Sequence, residues 1–98
     1  MVKFSVRQTI PKHITLEILD KAFLQTLVQR MNDCNWDAET INNIISTLGK
    51  ESPLGSKGAY KLIYNLIIGQ DRGPRLGPFL ASLDKQFVIN RFNQAAYN

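Results

Sequence analysis

The sequence has few of the residues from which metal and catalytic sites are built. It contains one cysteine, Cys34, and one histidine, His13, in 98 residues. A single cysteine cannot form an internal disulfide and is typical of a reducing compartment, and a lone histidine with no other ligand at suitable spacing argues against a metal site. Neither a G-x-G-x-x-G pattern nor a P-loop occurs. We therefore expect no metal, no cofactor and no independent enzymatic activity in this chain.

Long apolar runs are also missing. No run reaches the ~18 residues that a membrane-spanning helix needs. The first residues, MVKFSVRQTIPKHI, lack the apolar core of a secretory signal. A chain of this length can form one domain that buries roughly 60 to 65% of the surface of the extended chain. The sequence predicts a single-domain cytoplasmic protein that does not contact membranes.

Acidic residues are scarce in the second half of the chain. Residues 50–98 carry seven lysines and arginines against three acidic residues, whereas residues 13–49 carry two basic residues against five acidic ones. The whole chain has a formal net charge of +4. A basic half is typical of proteins that bind anionic partners such as nucleic acid. Charge alone fits a plain solvated surface equally well.

Helical periodicity begins near Thr15, which we predict as the N-cap of a first helix. Its inward face is formed by apolar residues at three- and four-residue intervals: Leu16, Leu19, Phe23, Leu27 and Met31. Asp37 is the predicted N-cap of a second helix, which Gly49 is expected to end. Residues 50–56 are then expected to form a loop because of their proline, glycine and serine content.

Three more helices are predicted in the second half. Residues 57–68 are apolar on almost every side, so we expect neighbouring helices to bury this segment and Gly69 to end it. The fourth helix is predicted to start near Pro78 after a turn at 74–77, because a proline deeper in a helix costs about 3 kcal/mol. Asp84 is the predicted N-cap of the last helix.

No pair of strands is indicated. The sequence therefore predicts an all-α fold, a single compact bundle of about five short helices over residues 15–98. Residues 1–14 show no helical period and contain Pro11, and VKFSV within them fits either a short strand or a disordered extension. We expect this segment to be extended or partly disordered.

The loop after the third helix carries the clearest candidate binding residues. Arg72 and Arg75 flank the Gly-Pro pair at 73–74, so two guanidinium groups lie on a stiff turn from which they can reach phosphates or base edges. Tyr64, near the end of the preceding helix, can offer a ring or a hydroxyl, and unpaired RNA bases stack on aromatic and guanidinium planes. The structural alternative is a core tyrosine beneath a solvated loop.

Other cations in this half are candidates for contacts with a nucleic-acid backbone. Lys57 and Lys61 lie on the third helix, and Lys85 lies at the start of the last. Tyr60, one turn before Tyr64, is expected to be a core aromatic.

Two segments resemble a known family. The run YKLIYNLIIGQDRGPRLGPFLASLDKQFVINRF resembles the C-terminal end of class I lysyl-tRNA synthetases, in which an apolar helix is followed by Gly, a short loop, Gly-Pro-Arg-Leu and two further helices. The preceding NWDAETINNIISTLGKE resembles the corresponding segment of the related glutamyl enzymes. The resemblance extends from about Ala22 to Ala95.

This resemblance implies an α-helical anticodon-binding domain at the C-terminal end of a cytoplasmic ligase, with the anticodon loop of lysine tRNA as its partner. The contact residues that it implies are Tyr64, Pro74 and Leu76, with Gly73 beside them. Arg75 belongs to the lysyl-type motif itself. The glutamyl type tends to have arginine where this chain has Tyr64, a difference that is compatible with a different anticodon.

A complete synthetase of this type also needs a catalytic domain with His-Ile-Gly-His and Lys-Met-Ser-Lys-Ser-like motifs, and neither occurs in this sequence. The resemblance implies that ATP would be used by that domain, covalently attached in the parent enzyme. We expect this chain to be either a domain of a longer ligase or a free-standing relative. The alternative hypothesis is a helical RNA-binding or protein-interaction module without ligase activity.

Overall fold

The structure, a computed structural model, describes residues 16–97. Five α-helices make up the regular secondary structure of this part of the chain. They are α1 (Ile18–Asn32), α2 (Ala38–Glu51), α3 (Gly55–Ile68), α4 (Leu76–Ala81) and α5 (Lys85–Ala96). The predicted all-α bundle of five helices is confirmed. The predicted extended segment, residues 1–14, lies outside the described residues. None of the helices within 16–97 has the length and apolar character to cross a membrane.

One apolar core joins the helices, and α3 contributes six residues to it. These are Ala59, Leu62, Ile63, Leu66, Ile67 and Ile68. The prediction that neighbours bury α3 is correct for this face only. Lys57 and Lys61 are exposed, and Tyr60 and Tyr64 between them are half-buried. One face of α3 is therefore open to solvent, and the site described below forms there.

The predicted signals at three helix ends are confirmed. The Asp37 carboxylate accepts a hydrogen bond from the Thr40 backbone N–H at 2.8 Å, and that of Asp84 accepts one from the Phe87 N–H at 3.0 Å. These bonds satisfy N–H groups that have no partner inside the helix. Gly69 ends α3 in the left-handed conformation with a φ of 73°, where a residue without Cβ is favoured.

The start of α1 differs from the prediction. Glu17, not Thr15, is the N-cap, and its backbone N–H donates to the Asp20 carboxylate at 3.0 Å. Leu19, expected to face inward, is 49% exposed. It lines an open cavity of about 260 Å³ beside the end of α2, so the first turn of α1 is only partly covered.

Gly49 does not end α2, which continues to Glu51. Gly49 is buried where α3 crosses: a Cβ on it would lie 3.2 Å from both the Ala59 Cβ and the Ser56 Cα. Its small size therefore lets two helices approach closely. The predicted loop at 50–56 is correspondingly shorter and covers only residues 52–54 between α2 and α3.

The fourth helix begins two residues before Pro78, at Leu76. Pro78 is thus the third helical residue, where the missing N–H has no intrahelical acceptor anyway. The first bond of the helix runs from the Phe79 N–H to the Arg75 carbonyl at 3.0 Å. The predicted turn at 74–77 is too long, because Leu76 and Gly77 already belong to the helix.

Candidate nucleic-acid interface

The segment 69–75, which we call the arginine loop, folds back onto the last turns of α3. The Tyr64 hydroxyl donates to the Pro74 carbonyl at 2.6 Å. The Asn65 side-chain amide donates to the Asp71 carboxylate at 2.8 Å and to the Lys61 carbonyl at 2.9 Å. Two neighbouring residues of α3 therefore hold the loop at two points.

Gly73 allows the loop to lie directly on the helix. A Cβ at this position would be 2.7 Å from the Ile68 Cδ1 and 3.0 Å from two carbons of the Tyr64 ring. Such distances are shorter than van der Waals contact, so any larger residue would push the loop away from α3. The Gly-Pro pair thus has a packing reason in addition to its effect on the stiffness of the turn.

A buried arginine supports this region from the core. Arg91 on α5 is 3% exposed, and its Nη1 donates to the Leu66 carbonyl of α3 at 2.7 Å. That carbonyl belongs to the last turn of α3, where helix carbonyls lack intrahelical partners. The guanidinium also lies 5.1 Å from the centre of the Phe87 ring. Burial lowers the pKa of Arg91 from its ordinary value.

The two predicted arginines project from the loop. Arg72 and Arg75 are exposed, and within residues 16–97 neither has an ion-pair or hydrogen-bond partner. Gly73 and Pro74 are half-buried beneath them. Leu76 is different: it is 2% exposed and packs in the core. Its side chain anchors the end of the loop, so it does not form part of the exposed surface.

Tyr64 presents only part of its ring to solvent. It is half-buried against the core, and burial raises the pKa of its hydroxyl, with the neighbouring Tyr60 phenol adding a smaller increase. The hydroxyl therefore stays protonated and remains the donor to the loop. The Tyr64 hydroxyl is already bonded to the Pro74 carbonyl.

The three predicted lysines separate into two groups. Lys57 and Lys61 are exposed on the open face of α3. Lys85 instead donates its Nζ to the Asn32 carbonyl at 3.3 Å and to the Cys34 carbonyl at 3.0 Å. It thereby joins α5 to the C-terminal end of α1, where a positive charge is favourable. Its ammonium is occupied by the protein's own backbone.

A groove of about 410 Å³ runs between the open face of α3 and the arginine loop. We call it the α3 groove, and its lining residues are Lys57, Tyr60, Lys61, Asp71 and Arg72.

Sequence reasoning missed the parts played by Tyr60, Asp71 and Asn65. For Asn65 the spacing could have served as a signal, because this residue lies one turn after Lys61 and close to the loop that follows the helix. Among residues 16–97 no group of three histidine, cysteine or acidic side chains is placed to hold a metal ion.

Comparison with known proteins places these observations in a family. The profile of the family described as "Anticodon binding domain" matches residues 4–96. The chain is 38% identical over 90 residues to a lysine–tRNA ligase of Thermococcus kodakarensis, a match that covers 92% of this chain and 17% of that protein. For the lysine–tRNA ligase of Pyrococcus horikoshii the identity is 37% over 90 residues, with the same two coverages. For that of Methanococcus maripaludis it is 36% over 86 residues, which cover 88% of this chain. The chain spans 16 to 17% of the length of these curated relatives.

Proposed function

Because the chain belongs to the anticodon-binding domain family, we propose that it is the tRNA anticodon-binding module of a class I lysyl-tRNA synthetase. In this proposal it recognises the anticodon loop of lysine tRNA during aminoacylation in the cytoplasm. The catalytic domain, which uses ATP, is a covalently attached part of the parent enzyme. The similarity to three lysine–tRNA ligases supports this assignment, as does the small share of their length that the chain spans.

The observation that carries the proposal is the arginine loop. Its two guanidinium groups are exposed and unpaired within residues 16–97, while the backbone between them is held on α3. Guanidinium groups bind phosphates in a bidentate manner, read guanine edges and stack on bases. A loop held in one conformation loses less entropy when an RNA ligand orders it.

In the proposed interface, Arg72 and Arg75 contact bases or phosphates of the anticodon loop, and Gly73 and Pro74 present backbone between them. The ring edge of Tyr64 contributes an apolar contact. Lys57 and Lys61, which are exposed, are assigned contacts with the phosphate backbone of the RNA. Leu76 and Lys85 act indirectly, because one is buried and the other is bonded to carbonyls of the protein.

The proposal is tested by fluorescence anisotropy with the 98-residue chain and a labelled anticodon stem-loop of lysine tRNA. We expect selective binding at low salt, and we expect Arg75→Ala to weaken it about 5- to 150-fold, as the loss of a bidentate contact does. The matched control is Arg30→Ala, which removes one exposed positive charge from α1 and leaves the loop intact.

Two results would overturn the proposal. The first is equal affinity for a stem-loop of the same length with an unrelated anticodon. The second is a complete lack of RNA binding at low salt by a chain that circular dichroism shows to be folded. The second result would favour the alternative, a protein-interaction module.

A further inference from the structure

The arginine loop contains one acidic residue, Asp71, next to Arg72. A carboxylate at this place repels phosphate, so by itself it lowers the affinity for RNA. Asp71 lines the α3 groove with three cations, yet within residues 16–97 it forms an ion pair with none of them. Its hydrogen-bond partner there is a neutral side chain, the amide of Asn65. The acid is thus held in place while the cations around it stay available to a ligand.

The bond between Asn65 and Asp71 is fixed at its helical end. The Asn65 Nδ2 donates to the Asp71 Oδ1 at 2.8 Å and to the Lys61 carbonyl at 2.9 Å. Because the second bond orients the amide along α3, the first bond determines where the loop begins its return over the helix. A hydrogen bond to a charged acceptor is stronger than one between neutral groups. The pair therefore attaches the start of the arginine loop to the last turn of α3.

Arg72 is the residue that this attachment places. It lies between Asp71, which is held through its carboxylate, and Gly73, which packs so closely on α3 that no Cβ fits there. The backbone of Arg72 is thus held on both sides, whereas its side chain is exposed. The other arginine, Arg75, follows the residue whose carbonyl the Tyr64 hydroxyl binds. Each arginine of the loop therefore has its own attachment to α3.

We propose that Asn65 is a positioning residue for RNA binding: through Asp71 it fixes the backbone from which Arg72 projects, and neither Asn65 nor Asp71 contacts the RNA. A neutral donor holds the acid, so the loop is ordered without the use of a cation. A guanidinium group whose backbone is already in the binding position loses less freedom when it binds. This inference rests on the proposed function, because it assigns the pair a part in the affinity of that interface.

The first test is Asn65→Ala, which removes the donor and keeps the net charge. We expect the affinity for the lysine anticodon stem-loop to fall about 2- to 10-fold, because the binding conformation of the loop is then only partly populated. Alanine forms helices better than asparagine, so thermal stability is expected to be retained. The matched control is Asn43→Ala at an exposed position of α2, which is expected to leave the affinity unchanged. An unchanged affinity of Asn65→Ala overturns the proposal.

A double-mutant cycle shows whether Asn65 acts through Arg72. In a chain that already carries Arg72→Ala there is no guanidinium group to position, so Asn65→Ala should then weaken binding less than about 2-fold. In a chain that carries Arg30→Ala, on the exposed surface of α1, Asn65→Ala should keep its full effect. Equal effects in the two backgrounds overturn the positioning of Arg72.

An exchange of the two side chains tests the bond itself in the free chain, where repulsion of RNA plays no part. Asn65→Asp places two carboxylates opposite each other, and amide hydrogen exchange at residues 70–73 should become faster. Addition of Asp71→Asn restores a carboxylate–amide pair with the roles reversed and returns the net charge to that of the native chain. We expect exchange in this double variant to slow again, and equally fast exchange in both variants would overturn the attachment.

The outcomes also separate this inference from the proposed function. Equal binding of the lysine and unrelated stem-loops overturns the proposed function, while the loss caused by Asn65→Ala can be measured with either RNA and then still supports the positioning role. Selective binding that Asn65→Ala leaves unchanged overturns the positioning role alone. A folded native chain that binds no RNA at low salt overturns both.

Discussion

Tyr64 shows how one side chain can serve both the core and the surface. Its ring packs on the core and lies beneath Gly73, while its hydroxyl reaches forward ten residues to the Pro74 carbonyl. Because burial raises the pKa of this hydroxyl, the donor is not lost in mildly alkaline solution. The ring and the hydroxyl together determine where the arginine loop lies.

At this scale we predict that Tyr64→Phe loosens the loop and leaves the core intact. The variant keeps the ring and loses one hydrogen bond, so the free energy of unfolding should fall by about 0.5 to 1.5 kcal/mol. Amide hydrogen exchange at residues 69–75 should become faster, as measured by mass spectrometry or NMR. Tyr97→Phe is the control, because Tyr97 is 70% exposed and is expected to change neither quantity. Unchanged exchange in the loop of Tyr64→Phe would contradict this role.

The ends of the helices are where local sequence has its clearest effect. Asp37 and Asp84 each stand where an N-cap carboxylate meets a free N–H, and Gly69 supplies the left-handed residue after α3. The pKa of Asp37 is lowered by the Thr40 N–H and, to a smaller extent, by the Thr40 hydroxyl. The ionised form of Asp37 is therefore the one that the folded chain favours.

This cap predicts a pH dependence of stability. Because the folded pKa of Asp37 is depressed, its contribution is present above the ordinary aspartate pKa of about 3.9 and is lost as the pH falls through the lower folded value. Asp37→Asn cannot titrate, so the difference in urea unfolding midpoint between it and the native chain should shrink as the pH is lowered. Glu51→Gln, at the other end of α2, serves as the control. A difference that stays constant down to about pH 2 would exclude the cap as its source.

The assembly of the helices depends on side chains that bond to carbonyls at the ends of other elements. Lys85 reaches the end of α1, Arg91 reaches the end of α3, and the Trp36 indole N–H donates to the Leu83 carbonyl at 3.0 Å. These bonds join residues that are 25 to 53 positions apart. These bonds satisfy leftover carbonyls and link the helices at the same time.

For the whole molecule we predict that Arg91→Met lowers stability more than any exposed arginine substitution. The Leu66 carbonyl would lose a partner inside the core, at a cost of about 1 to 3 kcal/mol. For a domain of this size that corresponds to a fall in Tm of at least about 4 °C, measured by calorimetry. Arg30→Met, the same change on the surface of α1, should stay within about 0.5 kcal/mol of the native chain. Equal Tm values for both variants would show that the buried bond contributes nothing.

Much of the fold could be predicted because helices depend on neighbours in sequence. The apolar spacing in α2 and α5 and the caps at Asp37 and Asp84 lie within one or two turns of the residues that they affect. The errors occurred where distant residues decide the outcome. Glycine is a residue type that commonly ends a helix, yet Gly49 lies inside α2, at the point where α3 crosses and Ala59 packs against it.

The candidate site divides in the same way. The exposure of Arg72 and Arg75 follows from a charged Gly-Pro turn after an apolar helix, and that part was predictable from sequence. The burial of Leu76 and the use of Lys85 as a cap were not, because each depends on helices that meet them from elsewhere in the chain. The α3 groove was missed for the same reason.

The sequence by itself determined that the chain is helical, where α2 and α5 begin and α3 ends, and that an arginine-bearing turn follows the most apolar helix. Periodicity, caps and turn residues are short-range effects, so they can be read along the chain. Only the tertiary structure decided which face of α3 stays open, that Asn65 aims Asp71 into a groove, and which cations remain available to a ligand. Those properties depend on contacts between surfaces that exist only after the helices have packed.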